Sequence, residues 1–108
     1  MNLISRAEEM ILLAILSLED NAYGISILEF LQEKTGNVWS FAQIYDPLDK
    51  LARKGYVKKR KGGSTPERGG RPKSFYKLTK DGQAALLEIR MVQDAVWGCV
   101  PKKSLIRE

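Results

Sequence analysis

The sequence has no histidine and only one cysteine, Cys99, among its 108 residues. An internal disulfide is therefore excluded, as is a zinc site of the usual Cys/His composition. Catalytic triads and histidine general bases go with them, and scattered carboxylates beside a lone thiol assemble no metal centre or activated nucleophile, so no enzymatic function is expected. The glycines lack the spacing of a nucleotide-binding loop, and no cofactor is expected. Long apolar runs are missing too. The longest, Met10 to Leu16, falls far short of the roughly 20 residues that a bilayer span requires. Glu8 and Glu9 stand where a signal peptide would carry positive charge, so the expectation is a cytoplasmic protein with no membrane partner.

What is present is the composition of a folded chain, 44% hydrophobic and 29% charged. Its length allows one domain, whose modest core would gain from a dimer interface. The net charge of +5 conceals a segregation. Residues 50–80 hold twelve of the eighteen Lys and Arg residues and one acid, Glu67, which makes that stretch +11 and leaves the remainder at −6. Such a distribution presents one positive surface to a polyanion, the plainer alternative being a solvated lysine-rich face.

Apolar spacing predicts three helices, a hairpin and a fourth helix, an α+β fold that is mostly α. From Arg6 to Leu18 the stripe is Ala7, Met10, Ile11, Ala14, Ile15 and Leu18, widened by Leu12, Leu13 and Leu16. Glu19-Asp20-Asn21 ends it. A second helix follows Tyr23-Gly24, carries Ile25, Leu28, Phe30 and Leu31, and stops at Thr35-Gly36-Asn37. A third begins with Ser40 as N-cap, sets Phe41, Ile44, Tyr45, Leu48 and Leu51 along one side, and closes at Gly55. Strands are expected at Tyr56–Lys61 and Lys73–Leu78, joined by a tip from Gly62 to Pro72 that has too many glycines and prolines for regular structure. Thr79 then caps a last helix through Leu86, Leu87, Ile89, Val92 and Val96 towards Trp97. A basic hairpin behind three short helices reads as a winged helix-turn-helix with a two-stranded wing. Residues 1–80 would be the DNA-binding domain and residues 81–108 a C-terminal dimerisation helix and tail.

Tyr23-Gly24, Ile44-Tyr45 with Leu48 and Leu51, Lys54-Gly55-Tyr56-Val57 and, above all, the block from Gly69-Gly70-Arg71-Pro72 through Phe75-Tyr76-Lys77-Leu78-Thr79 to Gly82 resemble the PadR family over roughly residues 6–90. The resemblance implies a winged-helix fold, a homodimer built largely by the last and first helices, and repression by binding promoter DNA. The single helix after the wing resembles the compact subgroup that includes multidrug-responsive repressors. One departure is Pro47, which follows Asp46 where the family often has Tyr-Pro. It permits either one helix from Ser40, bent near Gln43, or a restart with Asp46 as N-cap and Pro47 at the first helical position. The first brings Gln43 and Tyr45 near DNA, as the resemblance requires. Either way Asp46 and Asp49 must face away from phosphate or weaken binding.

The expected DNA contacts divide by role. Ser40 and Gln43 open the recognition helix, Ser40 at the base edges or simply as a cap, Gln43 paired bidentately with adenine or merely solvated. Tyr45 resembles the family's phosphate-contacting tyrosine, with a core tyrosine at the rim as the alternative. Lys50, Arg53, Lys59, Arg60 and Lys73 would neutralise backbone charge. Arg71, at the tip in Gly70-Arg71-Pro72, resembles half of an AT-hook core and would enter the minor groove. Val92, Val96 and Trp97 form an apolar stripe for dimer packing, or for a small aromatic effector as the multidrug-responsive members imply, although that subgroup's tryptophan would fall near Gln93. The competing function is a winged-helix protein-interaction or RNA-binding module.

Overall fold

The computed structural model describes residues 4–64 and 72–105. Its order is α1 (Arg6–Leu18), α2 (Gly24–Thr35), α3 (Phe41–Arg53), β1 (Val57–Ser64), β2 (Pro72–Leu78) and α4 (Lys80–Trp97), with short 3-10 turns at Glu19–Asn21 and Lys102–Leu105. α1 starts in a capping box, where the Ser5 hydroxyl accepts from the Glu8 amide at 3.1 Å and Glu8 Oε1 accepts from the Ser5 amide at 2.9 Å. Its inward face supplies Ile11, Leu12, Ala14 and Ile15, which pack with Ile27 and Leu31 of α2 and Ile44, Leu48 and Leu51 of α3. Each such aliphatic side chain contributes roughly 1.5–3 kcal/mol on burial, so these three helices carry the core.

The question raised by Pro47 has a single answer. α3 is one helix through Pro47, and the restart at Asp46 does not occur. Ser40 caps it, its hydroxyl accepting from the Gln43 amide at 3.2 Å while Gln43 Oε1 accepts from the Ser40 amide at 2.8 Å. Pro47 removes the hydrogen bond due to the Gln43 carbonyl, but Gln43 is exposed and water can supply that donor. Burial of Ile44, Leu48 and Leu51 holds the helix together on its other side.

The strands are longer than the sequence suggests. β1 reaches Ser64 and β2 begins at Pro72, with an irregularity in register between Lys61 and Ser64. Pairing with β2 provides an order that a glycine-rich segment does not signal locally. The ribbon is antiparallel, with Val57 opposite Leu78, Lys59 opposite Tyr76 and Arg60 opposite Phe75. Its base is anchored twice. Val57, Tyr76 and Leu78 are buried in the helical core, and the Tyr76 amide donates to the Ala22 carbonyl at 2.8 Å beside a further antiparallel bridge between Tyr23 and Phe75. No local feature of the sequence signals this third pairing.

α4 is tied to the same base. The Thr79 hydroxyl donates to the Gly55 carbonyl at 2.7 Å and accepts from the Gly82 amide at 3.1 Å, confirming it as N-cap. A Cβ on Gly82 would overlap the Tyr56 carbonyl, so the spacing from Leu78-Thr79 to Gly82 is a packing requirement. Leu86 and Ile89 are buried, after which the helix continues with its apolar residues exposed. Among the described residues no helix is long and apolar enough to cross a membrane.

Candidate nucleic-acid interface

The basic residues decorate two elements, the last turns of α3 and the wing. Lys50, Arg53, Lys58, Lys59, Arg60, Lys61 and Lys77 are exposed, and Lys73 is half-buried. None of the eight forms an ion pair among the described residues, where the ion pairs are Lys54 with Glu8 at 3.4 Å and Arg90 with Asp94 at 3.5 Å. Lys58 lies directly opposite Lys77 in the ribbon, a like-charge pairing that weakens a hairpin unless something anionic lies against it.

Aromatic rings position two of these cations. Lys73 Nζ stands 4.2 Å from the centroid of Tyr23, the Arg60 guanidinium 4.9 Å from that of Phe75, and the two rings meet edge to face at 5.6 Å. The stack keeps the heads of Lys73 and Arg60 in place while leaving their donors available. On the neighbouring side, Tyr23, Gly24, Tyr45, Asp49, Lys59, Lys73, Ser74 and Tyr76 line a cleft of about 300 Å³ between α3 and the wing. Three expected contacts, Tyr45, Lys59 and Lys73, are thus brought together. Tyr45 lies so close over the start of α2 that a Cβ on Gly24 would overlap its phenol, which explains the Tyr23-Gly24 pair. Its ring also stacks on Phe41 at 6.2 Å.

The acids of α3 separate. Asp46 lies away from this cleft, as expected, but Asp49 lines it. Burial, with the Asp49 carboxylate and the Tyr45 phenol nearby, pushes the Tyr76 phenol above its ordinary value and keeps it a neutral donor. Of the two alternatives the sequence leaves, facing away or weakening the binding of phosphate, the second is the one open to Asp49, which the helical twist carries round towards β2.

Gln43 is exposed at the start of α3, but its Oε1 is occupied by the helix cap. Bidentate pairing with adenine needs that oxygen, so it would open the reciprocal half of the capping box at a cost of about one hydrogen bond, roughly 0.5–1.5 kcal/mol, while the Ser40 hydroxyl kept the Gln43 amide. The Nε2 donor has no such commitment. Lys50 and Arg53 lie on the last turns of α3 and do not line the cleft. Arg71 lies outside the described residues. Lys58, Lys61 and Lys77 are not among the contacts read from the sequence, nor are the rings of Tyr23 and Phe75 beneath their cations. The unbroken basic run Lys58-Lys59-Arg60-Lys61 could have shown the first two lysines, whereas the rings meet only through the long-range bridge.

At the other end of the molecule, Val92, Val96 and Trp97 are exposed, Trp97 to 60%. Leu87 and Met91 of α4 and Leu13 and Leu16 of α1 are exposed as well. This apolar surface is broader than the stripe read from the sequence.

A buried three-helix core, a capped third helix with an exposed first turn and a basic two-stranded ribbon define a winged helix-turn-helix protein. The profile described as the transcriptional regulator PadR-like family matches residues 12–88, and the chain belongs to that family. Among solved structures, it is similar to a PadR-like transcription factor from Bacteroides fragilis, at 25% identity over 84% of this chain and 85% of that one, with a TM-score of 0.69. A PadR-like transcriptional regulator from Bacillus cereus shares the fold at 22% identity over 93% of this chain and 92% of that one, with a TM-score of 0.73. One from Eggerthella lenta does so at 20% identity over 91% and 83%, with a TM-score of 0.70. No curated protein matches the chain.

Proposed function

We propose that the chain is a sequence-specific repressor that binds an inverted-repeat operator as a homodimer. The observation that carries this reading is the set of cations on the last turns of α3 and on both strands of the wing that make no ion pair among the described residues, with Lys59 and Lys73 gathered in the cleft beside Tyr45. Such a surface is strained by its own repulsion and is relieved by a phosphate backbone. Tyr45, Lys59, Lys73 and Ser74 receive a phosphate in the cleft, where the two lysines outweigh the opposing charge of Asp49, Arg60 and Lys61 follow the backbone along the wing, and Arg71 reaches the minor groove. The first turn of α3 faces the base edges in the major groove, with the Ser40 hydroxyl and Gln43 Nε2 as its donors.

The dimer rests on the C-terminal half of α4. Residues 81–108 act as the dimerisation element, with Val92, Val96 and Trp97 covered by a second copy rather than by solvent. A two-fold axis there sets the two recognition helices roughly 34 Å apart, one turn of duplex. As a DNA-binding regulator the protein would work in the cytoplasm.

Fluorescence anisotropy on labelled duplexes from the DNA upstream of the gene, over a range of salt, tests the reading alongside sedimentation velocity. The expected result is a dimer at micromolar concentration, bound to one inverted repeat with a log–log salt slope of at least about −4. A chain that stays monomeric on DNA, or binds structured RNA in preference to every duplex, would overturn it.

A further inference from the structure

The fold leaves a second cavity, of about 520 Å³, on the side of α3 away from the wing cleft. Its walls come from Ala7 and Met10 of α1, the turn from Thr35 to Trp39, and Ala42, Gln43, Asp46 and Pro47 of α3. The volume is within the range of small-molecule sites, about 300–1,000 Å³.

The chemistry of the walls is selective. Trp39 is fixed as one side, its indole nitrogen donating to Thr35 Oγ1 at 3.0 Å and its amide to Gln32 Oε1 at 3.1 Å. Met10, Ala42 and Pro47 add apolar surface. Two of the polar side chains have commitments, since the Thr35 hydroxyl accepts from the indole and Gln43 Oε1 accepts from the Ser40 amide. Among the described residues Asp46 is the one charged residue in the lining, and it makes no ion pair with any of them. Lys50, one turn further along α3, does not line the cavity. An indole wall favours a flat aromatic ring, and favours it more when the ring is cationic. A lone carboxylate at an apolar cavity selects the same sign of charge and repels an anion.

We propose that this cavity binds a small planar aromatic cation, stacked on Trp39 with its positive charge turned to Asp46. The site differs from the Trp97 stripe, and it joins α1 to the capped first turn of α3. A ligand there touches Gln43 and Asp46 directly, so it would bias the position of the recognition helix. That consequence rests on the function proposed above, whereas the binding site does not.

The test uses the Trp97→Phe variant, in which Trp39 is the only tryptophan, without DNA. N-methylquinolinium is titrated against its fluorescence, with quinoline, at a pH where it is uncharged, as the matched neutral ring. The expected result is saturable quenching by the cation, binding about tenfold weaker for quinoline, and loss of that difference in an added Asp46→Asn change, which alters only an exposed side chain. Linear, unsaturable quenching by both compounds would overturn the site. So would equal affinity for the two rings, cation binding unchanged by Asp46→Asn, or saturable quenching seen only at Trp97 in a Trp39→Phe variant. Because no DNA is present, failure here is distinguishable from failure to bind an operator.

Discussion

The wing and the C-terminal half of α4 both leave the helical core, and they leave it with opposite chemistry. The wing buries Val57, Tyr76 and Leu78 at its base, and the charged residues of its two strands are all cations, to the point of setting Lys58 against Lys77. α4 buries Leu86 and Ile89 and then exposes Met91 to 72% and Val96 to 62%. Neither surface is fully satisfied within one chain, since Glu19 and Asp20 border Lys58, Arg60 and Lys77 on one side of the ribbon but form no ion pair with them among the described residues. The first requires negative charge, which a polyanion supplies, and the second requires apolar area, which a second copy supplies. An interface that needs both explains why a chain this short carries two unfinished surfaces at once.

The largest effect should come from reversing charge in the wing cleft. Lys59→Glu combined with Lys73→Glu is expected to weaken duplex binding at low salt by at least about a hundredfold and to flatten the salt dependence, as measured by anisotropy. Thermal stability should fall only modestly, because these lysines have no carboxylate partners among the described residues to lose and Lys73 gives up its contact with the Tyr23 ring, worth about 0.5–1 kcal/mol. Undiminished affinity would remove the cleft from the interface. Next comes α4, where Val96→Asp with Trp97→Ser should raise the dimer dissociation constant by roughly thirtyfold, read by sedimentation, while the monomer keeps its helical circular dichroism. If the variant stays as dimeric as the wild type, the exposed stripe has another purpose.

The comparison also separates what the sequence disclosed from what it did not. Both ends of α1, the Ser40 cap and the Thr79 cap follow from apolar spacing and capping chemistry, which are local, and the charge of the wing follows from composition. The anchoring of the wing does not, because the Tyr23–Phe75 bridge joins residues far apart in the chain and leaves no periodic trace. The reach of β1 through Gly62 to Ser64 was hidden for a related reason, since glycines read as a turn until a partner strand is known. Ser40, Gln43, Tyr45, Lys59 and Lys73 were all legible as candidates from residue type and position. That Gln43 is half-committed to a cap, that Asp49 shares the cleft, and that Trp39 walls a cavity depend on helix rotation and on packing across elements, which one-dimensional spacing does not fix.

Gly24 offers a sharper probe of how the wing cleft is built. A methyl group there overlaps the Tyr45 phenol, so Gly24→Ala is expected to destabilise the fold by about 1–2 kcal/mol in urea titrations, the loss being limited because Tyr45 lies at the surface and can turn away. In a Tyr45→Ala background the same change should be nearly neutral. A Gly24→Ala effect that is identical with and without the tyrosine would mean that the glycine answers to the backbone of α2 and not to the cleft.

The smallest effect concerns Lys54, the one cation between residues 50 and 77 that has an ion-pair partner among the described residues. Its ammonium lies 3.4 Å from Glu8 Oε2, joining the end of α3 to the capping box of α1. Burial alone would push the Glu8 carboxyl up, but the Ser5 amide and hydroxyl together with Lys54 outweigh it and hold the carboxyl below its ordinary value of 4.5. A depressed carboxylate contributes stability that is present above its unfolded value and is lost as the pH falls through the folded one. Glu8→Gln should therefore lower stability by about 1 kcal/mol at neutral pH, a modest figure because Lys54 is partly solvated. The gap to the wild type should narrow as the pH drops below about 4.5. Lys54→Met should follow the same pH course while leaving the salt slope of DNA binding unchanged, the reverse of the Lys59 and Lys73 changes. Urea titrations across that pH range read the first part and anisotropy the second. A Lys54→Met protein that keeps its stability but loses about one unit of salt slope would place Lys54 among the DNA-binding cations and erase the distinction between structural and functional charge.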